Sequence, residues 1–228
     1  MEEKIYNKVL TVILVILVIA IIVTLSLLGY NYWKVHTLNK DAQEFLEEFD
    51  TFVVQLSDEN ANGNNEEVPP ENQNNEQGNT TSNNATKPNN QTYGLTYKGY
   101  KVVGKIEIPA INVRYPILGE SNKAKALDVS VVRIYGPEMN QPGNVVIAGH
   151  NYNNGLFFGR NKKLNIGDKI YITDMQGNKV EYTIYNKYYT PESDYSYMTR
   201  DTQGAKEVTL YTCDATGANR LIVCGRAE

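Results

Sequence analysis

One cysteine near the end of the sequence stands in a setting that suits nucleophilic chemistry. Cys213 closes the alternating apolar run VTLYTC, and Arg220 opens the next run after six intervening residues. If the two runs pair as neighbouring antiparallel strands, Cys213 lies directly opposite Arg220. A guanidinium beside a thiol favours the thiolate and offers N–H donors to an oxyanion or a carbonyl oxygen. The pair therefore predicts a reactive thiol next to a permanent positive charge.

His150 is the candidate proton carrier, because the other histidine, His36, directly follows the apolar N-terminal segment. His150 ends the run NVVIAGH, where a buried strand gives way to a loop rich in Gly and Asn. If that strand neighbours VTLYTC, then His150, Cys213 and Arg220 meet at one end of the sheet. The thiolate could attack an acyl carbon while the imidazole moves protons and the guanidinium stabilises developing charge. A structural histidine at a strand end is the alternative interpretation.

Metal and disulfide sites are weaker interpretations of the same residue types. Two His and two Cys in the whole chain do not supply the paired ligands of a structural zinc site. In the predicted hairpin, Cys224 lies about 13 Å from Cys213 at about 3.3 Å per residue, whereas a disulfide needs Cα atoms within about 7 Å. Cys224 is therefore predicted to be a small apolar strand residue. The carboxylates of Glu192, Asp194 and Asp201 are scattered in one loop, and we predict no calcium site and no cofactor.

The N-terminal segment predicts a membrane anchor. The chain has 228 residues and a net charge of −4, which fits one domain plus accessory segments and gives no reason to expect a nucleic-acid partner. Residues 9–28 carry no charge over about 20 positions, the length of a transmembrane helix. Aromatic residues follow this run in place of a signal-peptide cleavage site. We expect an uncleaved anchor over residues 1–32, with the N-terminus inside and the rest of the chain outside the cell.

Two segments separate this anchor from the folded part. Residues 33–56 place apolar side chains at spacings of four and three, which predicts an amphipathic juxtamembrane helix. These apolar positions are Leu38, Ala42, Phe45, Phe49, Phe52 and Leu56. The helix is either a stalk that continues the membrane helix or one seam of a parallel dimer. Residues 57–92 contain 12 Asn among 36 residues and a single large aliphatic, Val68, which predicts a disordered linker.

The remaining residues, 93–228, have the size and punctuation of one mainly-β domain. Short apolar or alternating runs are separated by Gly, Pro, Asn and Asp, which predicts about seven or eight strands in a closed barrel or a sandwich. The pair Gly177 and Asn178 marks a hairpin turn. Helix signals are confined to residues 123–130 and 153–164, each long enough for a turn or two.

Several motifs of this domain resemble those of the sortase family. VTLYTC followed by Arg220 resembles the family signature TLxTC…R, and PGNVVIAGHN resembles the segment that carries the family's catalytic histidine. IEIPAINVRYPIL and NIGDKIYIT resemble its first barrel strands and its LxxGDxI segment. The resemblance covers nearly all of residues 93–228. It implies a closed eight-stranded sortase-type β-barrel on the outer face of a Gram-positive cell membrane.

The activity that this resemblance implies is that of a cysteine transpeptidase. Such an enzyme cleaves an LPxTG-like C-terminal sorting signal of a surface protein and holds the product as a thioacyl intermediate. An amine, such as that of a peptidoglycan precursor, then releases the product. By position, Cys213 is the nucleophile, His150 the general acid and base, and Arg220 the stabiliser of substrate and oxyanion. The substrate-binding candidates are the neighbours Thr212, Tyr211 and Asn151.

The sequence leaves subclass and two alternative functions open. The sequence shows no Asp-Pro-aromatic lid motif and no second apolar span. The interval before the cysteine strand, from Thr190 to Lys206, is too short for a long helix. These features favour a class D-like or class A-like sortase. Thr212 could also be a strand residue with a satisfied hydroxyl. A non-catalytic, membrane-anchored binding module is one alternative function. An L,D-transpeptidase-like enzyme is the other, although its usual Ser-x-Gly-Cys-x-Arg context does not match TLYTCDATGANR.

Overall fold

The computed structural model describes residues 2–62, 94–119 and 123–228. The α-helices are α1 (Glu2–Asn62), α2 (Lys123–Leu127) and α3 (Ser196–Thr199), and short 3-10 helices cover Pro109–Ile111 and Asn161–Lys163. The strands are β1 (Thr96–Tyr97), β2 (Tyr100–Ile108), β3 (Val113–Leu118), β4 (Val131–Tyr135), β5 (Gly143–Ala148), β6 (Lys169–Asp174), β7 (Lys179–Pro191), β8 (Lys206–Cys213) and β9 (Asn219–Arg226). Residues 57–62 belong to α1, and the rest of the predicted linker lies outside the described residues.

The strands β2 to β9 close into an eight-stranded barrel. The sheet order is β1-β2-β3-β4-β5-β8-β9-β7-β6, and an antiparallel pairing of β2 with β6 completes the ring. The two-residue strand β1 lies outside the ring, beside β2. At the closure, a Cβ on Gly104 would lie 2.6 Å from the carbonyl oxygen of Thr173, so only glycine allows the two strands to approach this closely. The predicted closed barrel is confirmed.

The barrel is filled by aliphatic side chains from successive strands. Val and Ile dominate these strands because branched side chains fit the pleated surface and bury apolar area well. Fully buried members of the core include Ile106, Ile117, Ile147, Leu210 and Val223. The predicted hairpin turn at residues 177–178 is present, where the amide of Asp174 donates to the carbonyl oxygen of Asn178.

The predicted short helices are only partly present. Residues 123–130 contain α2, but residues 153–164 form loops and the single 3-10 turn at Asn161–Lys163. Positive φ angles at Gly155 (80°) and Phe157 (51°) interrupt any longer helix there.

Helix α1 joins the apolar N-terminal segment to the juxtamembrane segment without a break. By length and composition, this helix could cross a membrane. Its most apolar stretch has a mean hydropathy of 3.2, and none of that stretch is buried within the protein. Trp33 and Tyr32 follow the apolar run and are exposed, in the position of an interfacial aromatic belt.

The second half of α1 packs against the barrel. The buried side chains on this face are Ala42, Phe45, Leu46 and Phe49. They join the main core cluster, and the ring of Phe45 lies 5.1 Å from that of Tyr97. The apolar stripe expected for a stalk or a dimer seam is therefore covered by the chain's own barrel over these positions.

Polar contacts fix the register of α1 on strands β2 and β3. Asp50 forms ion pairs with Lys105, whose side chain is buried, and with Arg114 at 3.0 Å. Arg114 also donates to the side-chain oxygen of Gln43 at 2.9 Å. A buried ammonium requires a partner of opposite charge, and Asp50 supplies it. We call residues 38–53 of α1, the part that packs on the barrel, the docked helix.

Candidate active site

Strands β8 and β9 place Cys213 and Arg220 as predicted. The two strands pair antiparallel with Cys213 as the Cα partner of Arg220, at the end of the barrel where the chain turns. The Cys213 side chain is partly accessible. Cys224 is the partner of Thr209, four positions further along the same ladder, and both cysteines are free thiols. Cys224 is buried, and burial raises the pKa of its thiol, which lowers its reactivity.

Strand β5 brings His150 beside the cysteine strand. β5 pairs in parallel with β8, and Ala148 is the partner of Tyr211. The amide of Gly149 continues this ladder by donating to the carbonyl oxygen of Tyr211 at 3.1 Å, and the side-chain amide of Asn151 donates to the carbonyl oxygen of Cys213 at 2.8 Å. His150 therefore lies between Gly149 and Asn151, which are both hydrogen-bonded to the C-terminal end of β8.

The imidazole of His150 has two neighbours that sequence analysis did not identify. Nε2 lies 3.5 Å from a carboxylate oxygen of Asp128, in the turn that follows α2. The ring of Tyr152 lies 5.1 Å from the imidazole in a tilted arrangement. Asp128 is mostly exposed, so its interaction with the imidazole is screened by water. No sequence signal marked either residue, because both depend on loops that return to the barrel mouth.

Arg220 is held by a network that fixes its guanidinium. Nε donates to the hydroxyl of Tyr211 at 2.7 Å, and Nη1 donates to the carbonyl oxygen of Gly217 at 2.7 Å. Nη2 forms an ion pair with Glu192, whose side chain is largely exposed. Burial alone would lower the pKa of Arg220, but the hydrogen bond to Tyr211 and the nearby Cys213 and Glu192 raise it above its ordinary value. The guanidinium is therefore a cation at every pH at which the protein is folded.

The three substrate-binding candidates all contribute to the architecture of the site. The hydroxyl of Thr212 is buried and donates to the carbonyl oxygen of Gly149 at 2.7 Å, which matches the alternative of a satisfied strand hydroxyl. Tyr211 orients Arg220 and stacks on Tyr197 at 5.6 Å. Asn151 links the loop that contains His150 to strand β8 through its hydrogen bond to Cys213. These contacts position the three predicted catalytic groups relative to one another.

The loop between Cys213 and Arg220 is stiffened by Asp214. Its carboxylate accepts hydrogen bonds from the amide and hydroxyl of Thr216 and from the side-chain amide of Asn219. Partial desolvation would raise the pKa of Asp214, but these hydrogen bonds outweigh it and lower the pKa to about 2. A permanently ionised carboxylate thus holds the tight turn that sets the Cys213 and Arg220 register.

A cleft of about 320 Å³ opens beside the thiol. Its lining comes from the loop that follows His150, from the lysines of the 3-10 helix Asn161–Lys163, and from strand residues that include Tyr189, Cys213 and Leu221. Neither His150 nor Arg220 is among its lining residues.

The acidic loop residues do not converge. Glu192 pairs with Arg220, while Asp194 accepts hydrogen bonds from Thr190 and from the amide of Ser196. Within residues 2–62, 94–119 and 123–228, no group of three or more His, Cys, Asp or Glu side chains is arranged to hold a metal ion.

The fold and the site together define a class of protein: a closed β-barrel whose mouth carries a cysteine opposite an arginine and next to a histidine-bearing strand. Comparison with known proteins agrees. The Sortase domain family profile matches residues 106–228. The chain is 30% identical over 130 residues to sortase A of Listeria monocytogenes, a match that covers 56% of this chain and 57% of the relative. It is also 30% identical over 129 residues to sortase A of Bacillus anthracis, covering 55% of this chain and 59% of the relative.

Solved structures show the same likeness. A sortase D5 transpeptidase of Clostridium perfringens superposes with a TM-score of 0.51 at 27% identity, over 56% of this chain and 79% of that one. Sortase A of Corynebacterium diphtheriae gives a TM-score of 0.51 at 26% identity, over 57% of this chain and 61% of that one. The chain belongs to the sortase family. It spans somewhat less than two thirds of the length of the curated relatives that it matches.

Proposed function

We propose that this protein is a membrane-anchored cysteine transpeptidase that cleaves an LPxTG-like C-terminal sorting signal and transfers the bound protein to a cell-wall amine. The observation that carries the proposal is the placement of Cys213 opposite Arg220 at the barrel mouth, with His150 two residues beyond the end of the adjacent strand β5. Membership in the sortase family supports it. The subclass, A-like or D-like, remains a prediction from the sequence.

The first half-reaction acylates the thiol. The Cys213 thiolate attacks the carbonyl carbon of the scissile peptide bond, and a C–S bond forms as the carbonyl electrons move onto oxygen. Arg220 offers N–H donors to this oxyanion. The donor available is Nη2, because its partner Glu192 is exposed and the pair is weak enough to exchange for a substrate oxygen. Protonated His150 gives its proton to the leaving amine as the C–N bond breaks.

The second half-reaction transfers the acyl group. An amine nitrogen attacks the thioester carbonyl carbon, a C–N bond forms, and the C–S bond breaks to return the Cys213 thiolate. His150 accepts the proton that the amine loses. The scheme uses no cofactor. The fixed hydrogen bonds of Tyr211, Asn151 and Asp214 keep the reacting groups in place, which lowers the reorganisation needed in each step.

The location that we propose is the outer face of the cell membrane. Helix α1 would cross the bilayer once with its N-terminus inside, and the barrel would lie outside, where sorting signals and cell-wall amines are found. The docked helix implies that the barrel is carried on the extracellular extension of the same helix, through contacts such as those of Asp50 with Lys105 and Arg114.

The test is transpeptidation by the full chain in lipid nanodiscs. A small library of LPxTG-like peptides is mixed with an amine acceptor, and mass spectrometry follows ligated product. We expect product with at least one peptide, none with Cys213→Ala, and near wild-type yield with the matched control Cys224→Ala. A folded protein that gives no product across the library, and whose Cys213 is no more reactive toward thiol reagents than Cys224, would contradict the proposal and favour the binding-module alternative.

A further inference from the structure

The loop that begins with His150 is closed on itself and contains a residue in an unfavourable conformation. We call residues 150–159 the histidine loop. The amide of Phe158 donates to the carbonyl oxygen of His150 at 3.1 Å and closes the loop at its base. Within the loop, Phe157 has a φ angle of 51°, in the left-handed region that bulky side chains rarely adopt. Such a conformation persists only where the surrounding structure holds it.

Two tyrosines hold the ring of Phe157, which is buried. The ring of Tyr115, on β3, meets it edge-on with 5.2 Å between the centroids, and the ring of Tyr152 lies 5.8 Å away in a tilted arrangement. Both distances are in the range of favourable aromatic pairs. Tyr152 in turn lies 5.1 Å from the imidazole of His150. We call Tyr115, Phe157 and Tyr152 the aromatic bridge, because they connect β3 to this imidazole.

The other end of the aromatic bridge is anchored to the docked helix. The hydroxyl of Tyr115 donates to the side-chain oxygen of Asn39 at 2.8 Å. Burial raises the pKa of Tyr115 and outweighs the backbone amide of Phe157 and the charge of Arg160, which act to lower it. The hydroxyl is therefore protonated at neutral pH and available as a donor. A continuous series of contacts thus runs from the docked helix to the imidazole.

The docked helix and the histidine loop also line one cavity. Its volume is about 110 Å³, and its lining includes Asn39 and Gln43 of the helix and Asn154 and Gly155 of the loop. A cavity at this place means that these side chains do not pack closely against one another across it. Tyr115 lines the same cavity and contacts both the helix and the loop. The aromatic bridge therefore provides the support for the loop that direct packing does not supply here.

We propose that the docked helix positions His150 through the aromatic bridge, with Asn39 and Tyr115 as positioning residues. This inference rests on the proposed transpeptidase function, in which His150 moves protons to and from the reacting amine. A proton donor must lie within hydrogen-bond reach of its acceptor, and opening of the histidine loop takes the imidazole out of that reach. The membrane-anchored helix thus contributes to the rate of the reaction as well as to the location of the barrel.

The test removes the anchoring hydrogen bond from either side. Asn39→Ala takes away the acceptor and Tyr115→Phe takes away the donor, and both leave the three rings of the aromatic bridge in place. A hydrogen bond between neutral groups changes an equilibrium by about fivefold. Amides of the histidine loop should therefore exchange about fivefold faster in the full chain in nanodiscs. The kcat of transpeptidation should fall by about twofold or more, with the KM for the peptide within about twofold of the parent.

Three matched variants separate positioning from damage to the fold. Asn39→Asp keeps an oxygen acceptor at the same place and should restore exchange and kcat to near the parental values. Lys40→Ala removes a neighbouring exposed side chain, whose ion pair with Glu44 is also exposed, and should change neither quantity. The double variant Asn39→Ala, Tyr115→Phe should match the single variants, because all three lack the same bond. Effects that add in the double variant, or no rescue by aspartate, would overturn the inference.

The imidazole signals provide a readout that general destabilisation does not move. The chain contains two histidines, so isotope-labelled histidine gives two imidazole signals in NMR spectra, and His36→Gln assigns them. The ring current of Tyr152 acts on the imidazole of His150 at 5.1 Å. We expect the His150 signal to move in Asn39→Ala and to return in Asn39→Asp. A His150 signal that stays in place in Asn39→Ala would contradict the inference.

Failure of this inference is distinguishable from failure of the proposed function. Hydrogen exchange of the histidine loop and the His150 signal are measured without any peptide. If the parent gives product, an unchanged kcat in Asn39→Ala overturns the positioning role alone. If the parent gives no product across the peptide library, the proposed function fails. The exchange rates and the His150 signal then decide whether the docked helix holds the loop, since parental values of both in Asn39→Ala refute it.

Discussion

The substitution Phe49→Ala tests whether the juxtamembrane part of α1 is docked on the barrel. Phe49 is fully buried, and the Lys105 ammonium lies 5.9 Å from its ring centroid. Truncating a buried Phe costs about 3 to 5 kcal/mol, and loss of the cation–π contact is included in that figure. We expect the docked state to lose about 3 kcal/mol, which corresponds to a roughly 100-fold higher population of the undocked state at about 1.4 kcal/mol per tenfold.

Hydrogen exchange of the full chain in nanodiscs measures this population. Backbone amides of residues 38–53, and of the barrel segment around Tyr97, should exchange faster in Phe49→Ala by up to about 100-fold where exchange reports local opening. The matched control is Val54→Ala on the same helix, because Val54 is 58% exposed and its truncation should change stability by less than about 0.5 kcal/mol. Equal exchange in the two variants would refute a helix docked through its apolar stripe.

Three further predictions concern the site and its support. Iodoacetamide should label Cys213 well before the buried Cys224 in the folded chain, and equal labelling would count against a reactive site. Arg220→Lys keeps the charge but cannot reproduce the forked hydrogen bonds, so thiol acylation should fall about 100-fold or more with little change in peptide binding, and an unchanged rate would contradict its role. Burial alone would raise the pKa of Glu207, but hydrogen bonds from Arg226 and Arg200 lower it. The stabilisation that ionised Glu207 contributes is therefore present above pH about 4.3 and is lost as pH falls through the lowered pKa. In urea unfolding, the parent should be more stable than Glu207→Gln by about 3 kcal/mol at pH 7, and this difference should narrow toward pH 3. A difference in stability that does not depend on pH would contradict this assignment.

The pairing of Cys213 with Arg220 at the barrel mouth could be predicted from the sequence, because a short hairpin fixes the register of its two strands. Six residues between Cys213 and Arg220 leave little freedom, so the two side chains had to lie opposite one another once VTLYTC and RLIVCG paired. The neighbouring position of His150 depended on β5 lying beside β8, a long-range pairing that the strand pattern made reasonable and the family resemblance supported.

Other features depend on contacts that local patterns do not encode. The apolar stripe of residues 38–56 predicts a buried helix face but not its partner, and here the partner is the chain's own barrel. Of the turn or two of helix expected within residues 153–164, only the 3-10 turn Asn161–Lys163 forms, because Gly155 and Phe157 take positive φ angles. Lys162 and Cys213 line the same cleft, and only closure of the barrel brings these distant parts of the sequence together. The domain limits and the catalytic roles remain predictions.

The most direct test of the central claim is to locate the acyl group on the enzyme. The full chain is mixed with a reactive sorting-signal peptide without an amine acceptor, quenched in acid, digested, and mapped by tandem mass spectrometry. The account predicts one adduct, carrying the N-terminal part of the peptide as a thioester on Cys213, released by hydroxylamine and absent from Cys213→Ala. Cleavage of the peptide that persists in Cys213→Ala, or an adduct on any other residue, would contradict it.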